Sequence, residues 1–171
     1  DRDLAVGVWS IGRGIGALVR EDRDAATLAF ERSRQVAPER HARILDAAHG
    51  PSLLLRALAG STTPSAIEVA WSGEIRGARW SDLWFGTALA VALADAGDRS
   101  AAAVLETALQ AGDRYPLFGA LARRLAAEAA ELLPCPDEGD LGEFVGAVGA
   151  GHATGEGQDA RHVGSIEALK C

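Results

Sequence analysis

The chain has 171 residues, a hydrophobic content of 48% and a formal net charge of -7 at pH 7. These values allow one folded domain, because a chain of this size buries about 70% of its unfolded surface on folding. They argue against a nucleic-acid-binding protein, since neither part of the chain offers a basic face to a phosphate backbone. The longest apolar run, Leu83–Ala94, is too short to span a bilayer, and no signal peptide is recognisable, so we expect a cytoplasmic protein.

Apolar residues at helical spacing predict a first helix over Asp3–Val19. This helix contains three closely spaced glycines, Gly12, Gly14 and Gly16. A phosphate-binding loop needs a preceding strand and a different glycine spacing, and here the helical period continues through the glycines. We therefore interpret them as residues that let two helices pack closely.

Three further elements follow in the first half of the chain. The turn at Asp22–Asp24 precedes a second amphipathic helix, and Pro38 opens a third helix that Gly50–Pro51 is expected to end. Thr63 is the predicted N-cap of a fourth helix that reaches about Trp71, because a proline follows at the first helical position.

Residues 81–133 form the most strongly patterned stretch and predict three helices. Ser81 is the expected N-cap of the first, and Gly97 ends it. The second begins near Ser100, and the third follows Pro116. Helix pairs joined by short turns are typical of a helical repeat, and the many alanines permit close stacking.

A weaker internal similarity at an offset of 75 residues aligns the first two helices with this stretch, pairing Trp9 with Trp84. The fold class predicted for residues 1–133 is therefore all-α, with antiparallel helix pairs stacked as a tetratricopeptide-like repeat. Residues 134–171 contain seven acidic and two basic residues and many glycines. We expect this tail to be disordered, apart from one short helix over Leu141–Val148.

No catalytic, cofactor-binding or metal-binding residue is predicted. The histidines and cysteines match no ligand spacing, and no base accompanies either thiol. These residues are His41, His49, His152, His162, Cys135 and Cys171. The acidic residues at predicted helix ends are better explained by capping than by acid–base catalysis. They are Asp22, Asp24, Asp95, Asp98 and Asp113.

The aromatic residues leave two interpretations open. Trp9, Trp71, Trp80, Trp84 and Phe85 are the largest apolar groups of the predicted helices, and core packing explains them. The alternative is a concave groove that binds a partner, as in other helical-repeat proteins. The candidate partner groove consists of Trp80, Trp84, Phe85, Arg123 and Arg124. The two arginines either hold an acidic partner or lie on a solvated helix face.

Three segments resemble a known family. The runs ADAGDRSAAAVLETAL at 94–109 and LARRLAAEAA at 121–130, with Tyr115-Pro116 between them, resemble the tetratricopeptide-like region of large ATP-binding LuxR-type transcriptional regulators of actinomycetes. The run PSLLLRALAG at 51–60 resembles a linker in those proteins.

The resemblance implies a sensor or scaffold segment that binds a protein partner or an effector and packs against neighbouring domains. Neither the nucleotide-binding loop nor the DNA-binding helix of such regulators is present, so we expect no catalysis and no direct nucleic-acid contact from this chain. The chain departs from the family pattern at Glu131 and contains no Met, which favours a fragment or a frame-shifted end. A free-standing adaptor is the alternative, and a homo-oligomer is left open. An enzyme would require a pocket that combines Asp82, Arg123 and a histidine.

Overall fold

A computed structural model describes residues 2–36, 42–71, 77 and 79–132 of the chain. Every regular element in this part is helical, so the all-α prediction is confirmed. The helices are α1 Arg2–Val19, α2 Arg23–Val36, α3 Ala42–Leu58, α4 Pro64–Ala70, α5 Trp80–Asp95, α6 Ala101–Leu109 and α7 Pro116–Leu132, with a 3₁₀ turn at Gln110–Asp113 before α7. Within the described ranges, no helix combines the length and apolar character needed to cross a membrane.

Several predictions concern residues outside these ranges. They include the start of the third helix near Pro38, the tail at 134–171 and its short helix over Leu141–Val148. His41 and both cysteines also lie outside the described residues, as do His152 and His162.

The predicted boundaries of α4 and α6 agree with the structure. The Thr63 hydroxyl accepts a hydrogen bond from the Ala66 N–H at 3.3 Å, and Pro64 occupies the first helical position. Ser100 is the N-cap residue of α6. The Asp98 carboxylate accepts hydrogen bonds from the Ser100 N–H and hydroxyl, which lower the pKa of Asp98.

The predicted break at Gly50–Pro51 is wrong, because α3 continues through both residues to Leu58. Pro51 lacks only the N–H that would bond the Ala47 carbonyl, and the packing of α3 on α5 compensates for that loss. Gly50 lies directly against α5, where a Cβ atom would be 2.7 Å from the Trp84 Cβ. This glycine therefore sets the close approach of two helices and does not end one.

The predicted N-cap of α5 is also wrong by two positions. The helix begins at Trp80, and Arg79 is the N-cap residue. The buried Asp82 carboxylate accepts the Arg79 backbone N–H at 3.1 Å and the Arg79 guanidinium at 2.8 Å. An acidic side chain at the third helical position thus accepts the backbone N–H of the N-cap residue, as in a capping box.

Helices α1, α3 and α5 end in the same hydrogen-bonded turn. The residue after each C-cap has a positive φ, which is 64° at Glu21, 62° at Gly60 and 70° at Gly97. The N–H of this positive-φ residue donates a hydrogen bond to the carbonyl three residues earlier. The N–H of the following residue donates to the carbonyl five residues before itself. This Schellman motif recurs after 39 and then 37 residues. These two intervals together are one residue longer than the offset of 75 found in the sequence.

Helix α5 is the centre of the molecule and packs against α3, α4, α6 and α7. Residues 82–88 of this helix are all buried, including Trp84, Phe85 and Leu83. The fully apolar pattern of α5 follows from this position, since neighbouring helices cover it on most sides.

Helix α7 contacts the turn between α1 and α2, more than 100 residues away in the chain. Arg124 donates a hydrogen bond to the Leu18 carbonyl and pairs with Glu21 at 3.2 Å, while Arg23 pairs with Glu128. In an open solenoid each unit contacts only its neighbours. Here side chains of the last described helix reach back to the first hairpin.

The prediction that the three glycines of α1 allow close helix packing is confirmed at Gly14 and is wrong for Gly12. Helix α1 is continuous through Gly12, Gly14 and Gly16. At Gly14 a Cβ would lie 2.7 Å from the buried Phe30 ring of α2. Ser33 of α2 strengthens this contact, because its hydroxyl donates a hydrogen bond to the Gly7 carbonyl at 2.9 Å.

Candidate functional site

Two of the five predicted groove residues are part of the core. Trp84 and Phe85 are completely buried, so no partner can touch these side chains in the folded protein. Trp80 is half-buried at the start of α5, where its ring faces the first turn of α7. Its ring centroid lies 4.2 Å from that of Phe118 and 5.5 Å from that of Trp84. The core interpretation therefore holds for Trp84 and Phe85, and Trp80 is a rim residue of that core.

The other two predicted groove residues lie apart from this aromatic cluster. Arg124 faces the turn between α1 and α2, where it contacts Leu18 and Glu21. Arg124 is therefore not on a solvated helix face, because it and Glu128 both contact the first hairpin. Arg123 is half-buried, and its Nε atom has no hydrogen-bond partner in the described part of the chain.

The best-formed depression near the aromatic residues lies between α4, α5 and α6, and we call it the α4–α6 groove. Its volume is about 410 Å³, which is within the range of small-molecule sites. The lining is mainly apolar, and hydroxyls and one carboxylate lie at the rim. The lining residues are Ile67, Glu68, Trp71, Leu89, Ser100, Ala103, Val104 and Thr107.

Trp71 forms a fixed wall of the α4–α6 groove. Its ring stacks on Phe85 with centroids 4.5 Å apart, and the Arg79 guanidinium lies 5.1 Å from its centroid. Asp82 anchors that guanidinium, so the stack is held at both sides. The indole N–H of Trp71 is buried and has no acceptor among the described residues. The groove thus offers an apolar surface bounded by a rigid indole ring.

His49 contacts the other member of this stack, Phe85, and this position explains its protonation state. Its ring meets Phe85 edge-on at 5.6 Å and is half-buried. Burial first, and then the nearby positive charges of Arg34 and Arg56, lower the pKa of His49 from 6.5 to about 4. His49 is therefore neutral at physiological pH.

Trp9 differs from the other tryptophans. Although the sequence repeat pairs it with the buried Trp84, its side chain on α1 is 60% exposed. The prediction of core packing is wrong here, because α1 is covered mainly on the side that faces α2.

Few of the described residues are candidates for metal binding or acid–base catalysis. The described ranges contain no group of three or more histidine, cysteine or acidic side chains that could hold a metal ion. Asp22 caps α2 by accepting the Ala25 N–H at 2.9 Å, and Asp98 caps the start of α6. For these two carboxylates the capping interpretation is confirmed.

Comparison with protein-family models, curated proteins and solved structures finds no match to this chain. The resemblance to LuxR-type regulators therefore stays a prediction from the quoted segments. The α4–α6 groove is a feature that sequence analysis missed. Trp71 is visible in the sequence, but the groove exists only because the short α4 leaves part of α5 and α6 uncovered.

Proposed function

We propose that this chain is a non-catalytic helical-repeat module that binds an apolar effector or partner side chain in the α4–α6 groove. Its biological role would be that of a sensor or scaffold segment of a LuxR-type transcriptional regulator. The observation that carries the binding proposal is the mainly apolar groove of about 410 Å³, one wall of which is the Trp71 ring stacked on Phe85. A suitable occupant is a small apolar group.

The repeated architecture supports a tetratricopeptide-like interpretation. Helices α1, α3 and α5 have 18, 17 and 16 residues and end in the same turn. Of the helices that follow them, α2 packs along α1 and α6 packs along α5, whereas the short α4 packs on α5. Stacked helix pairs of similar length are the units of such proteins, and their grooves bind partners.

Groove binding is tested with the fluorescent probe 8-anilinonaphthalene-1-sulfonate, which combines aromatic rings with an acceptor group. We expect its fluorescence to rise on titration with the native chain and to fail to rise with Ala103→Trp, which fills the groove. Ala120→Trp is the matched control, because Ala120 is an exposed alanine on α7 away from the lining residues. Equal binding to both variants would show that the probe binds elsewhere and would reject the groove.

The regulator role is tested separately, by sequencing the coding DNA on both sides of this chain. An upstream nucleotide-binding loop and a downstream helix-turn-helix would support it. A start codon directly before Asp1 together with a stop codon after Cys171 would reject it and favour the free-standing adaptor. A tagged chain would then be used to capture its partner, and capture should be lost in Ala103→Trp but kept in Ala120→Trp.

A further inference from the structure

The three helices that form the α4–α6 groove carry charge of one sign. Helices α4, α5 and α6 contain no lysine, arginine or histidine, whereas each of them contains at least one acidic residue. The acidic residues are Glu68 on α4, Asp82 and Asp95 on α5, and Glu106 on α6. The electrostatic potential at this groove is therefore negative, which favours a positively charged occupant.

Glu68 is the charged residue of the groove lining itself. Its side chain is exposed at the rim and forms no ion pair with any residue that the structure describes. The nearby Arg79 guanidinium, which lies on the Trp71 ring, is held by Asp82 at 2.8 Å and does not line the groove. A carboxylate beside apolar walls is thus accessible to a cationic group of a ligand.

The two hydroxyl groups of the lining can act only as acceptors towards a ligand. The Ser100 hydroxyl donates to the Asp98 carboxylate at 2.7 Å, and the Thr107 hydroxyl donates to the Ala103 carbonyl at 2.9 Å. Because a carboxylate and a carbonyl only accept, each hydroxyl hydrogen is already used. The indole N–H of Trp71 is buried and is not presented at the rim. The side chains of the lining therefore offer acceptors to a ligand and no accessible donor.

The dimensions of the groove suit a small molecule. Helix α4 has seven residues, so the wall that it forms is about 10 Å long. This length is less than two helical turns, which is too short to hold a partner helix along its side. The volume of about 410 Å³ accommodates a compact aromatic or aliphatic body.

We propose that the occupant of the α4–α6 groove is a small organic amine. Its apolar body lies against Trp71 and Val104, and its ammonium group donates to the Glu68 carboxylate. This inference rests on the proposed function, because it assigns a ligand class to the same groove. An anionic ligand would meet the Glu68 charge without gaining a hydrogen-bond donor, so the lining selects against it.

Naphthylmethylamine and naphthylmethanol test the charge preference, because they share an aromatic body and differ in charge at pH 7. Their dissociation constants are measured by NMR titration of the full chain at low ionic strength. We expect the amine to bind about threefold to fivefold more tightly than the alcohol, which is the contribution of an exposed ion pair. Added salt should reduce this preference, since it screens the attraction between the two charges.

Glu68→Gln removes the carboxylate and keeps the shape of the side chain. In this variant the amine and the alcohol should bind equally. The affinity for 8-anilinonaphthalene-1-sulfonate should rise, because the charge that repels the sulfonate is absent. Glu31→Gln is the matched control, since Glu31 is an exposed glutamate of α2 and does not line the groove. The control should leave all three affinities unchanged.

Three results would overturn the amine as the occupant while the groove remains a binding site. They are the absence of amine binding, binding of the alcohol as tight as that of the amine, and a preference for the amine that survives Glu68→Gln. The groove itself is judged by Ala103→Trp, which fills it. Binding of the alcohol and of the sulfonate probe that persists in Ala103→Trp would reject the proposed function, and the amine with it.

Discussion

At the scale of single residues, His49 shows how packing changes an ordinary ionisable group. The ring is half-buried against Phe85, and the positive charges of Arg34 and Arg56 act on it. Both effects oppose the protonated form, so the folded state keeps His49 neutral at pH values where the unfolded chain would bind a proton.

This difference predicts acid sensitivity. The pKa of His49 is about 4 in the folded state and 6.5 in the unfolded state, so between these values only the unfolded state is protonated. Stability is therefore full above pH 6.5 and falls as the pH drops from 6.5 towards 4, by about 1 to 2 kcal/mol after allowance for partial exposure.

Urea denaturation at pH 7 and pH 4.5 measures this loss in the native chain and in His49→Gln. The variant lacks the titrating ring, so its stability should change less between the two pH values, even if its stability at pH 7 is lower. An identical pH dependence in both proteins would mean that carboxylates alone cause the acid effect.

At the scale of elements, close helix contacts depend on individual glycines. Gly50 allows α3 to approach α5, and Gly112 and Gly119 face each other where the 3₁₀ turn meets α7, with a Cβ at Gly119 predicted to lie 2.7 Å from the Gly112 Cα. Each contact brings two elements together at the backbone, so a substitution at such a position shifts a whole helix.

Gly50→Ala should destabilise the protein by about 1 to 3 kcal/mol, because the new methyl group collides with the Trp84 Cβ, which cannot move away without moving α5. Gly12→Ala is the matched control, since both positions are helical glycines but Gly12 faces open space. The control should gain up to about 1 kcal/mol of stability from helix propensity. Thermal unfolding of both variants distinguishes these effects, and a stabilised Gly50→Ala would show that α3 and α5 are less closely packed than described.

Much of the helix pattern was predictable from the sequence, and the exceptions share a cause. Capping at Thr63 and the stop at Gly97 depend on neighbouring residues, and local rules identify them. Continuity of α3 through Pro51 depends on packing against α5, which a local rule cannot include. Likewise the apolar spacing is similar around Trp9 and Trp84, and only the complete arrangement of helices determines that one is exposed and the other buried. The α4–α6 groove was not predictable for the same reason.

At the scale of the whole molecule, the contact between α7 and the first hairpin joins the two ends of the described structure. Arg124 makes its main contact, because its guanidinium donates a hydrogen bond to the Leu18 carbonyl at the end of α1, which also accepts the Glu21 N–H. The pairs with Glu21 and between Arg23 and Glu128 are more exposed and contribute less.

Arg124→Met should therefore destabilise the protein by about 1 to 3 kcal/mol, since it removes a charge-assisted hydrogen bond to a helix end. Glu21→Gln removes only the partner that is 72% exposed and should change stability by less than about 0.5 kcal/mol. Urea denaturation gives both values. Comparable losses in the two variants would assign the stabilisation to the ion pair and not to the carbonyl contact.

The return of α7 to α1 also limits how this architecture can grow. An open array of helix pairs can be lengthened by duplicating one pair, because the added unit only needs to match its neighbours. Duplicating α3 and α4 here would move α7 away from Leu18 and break the contacts of Arg124 and Glu128. Longer relatives made by duplication would then need a different residue set on the last helix, so an Arg and a Glu four positions apart at 124 and 128 mark the length at which this array closes.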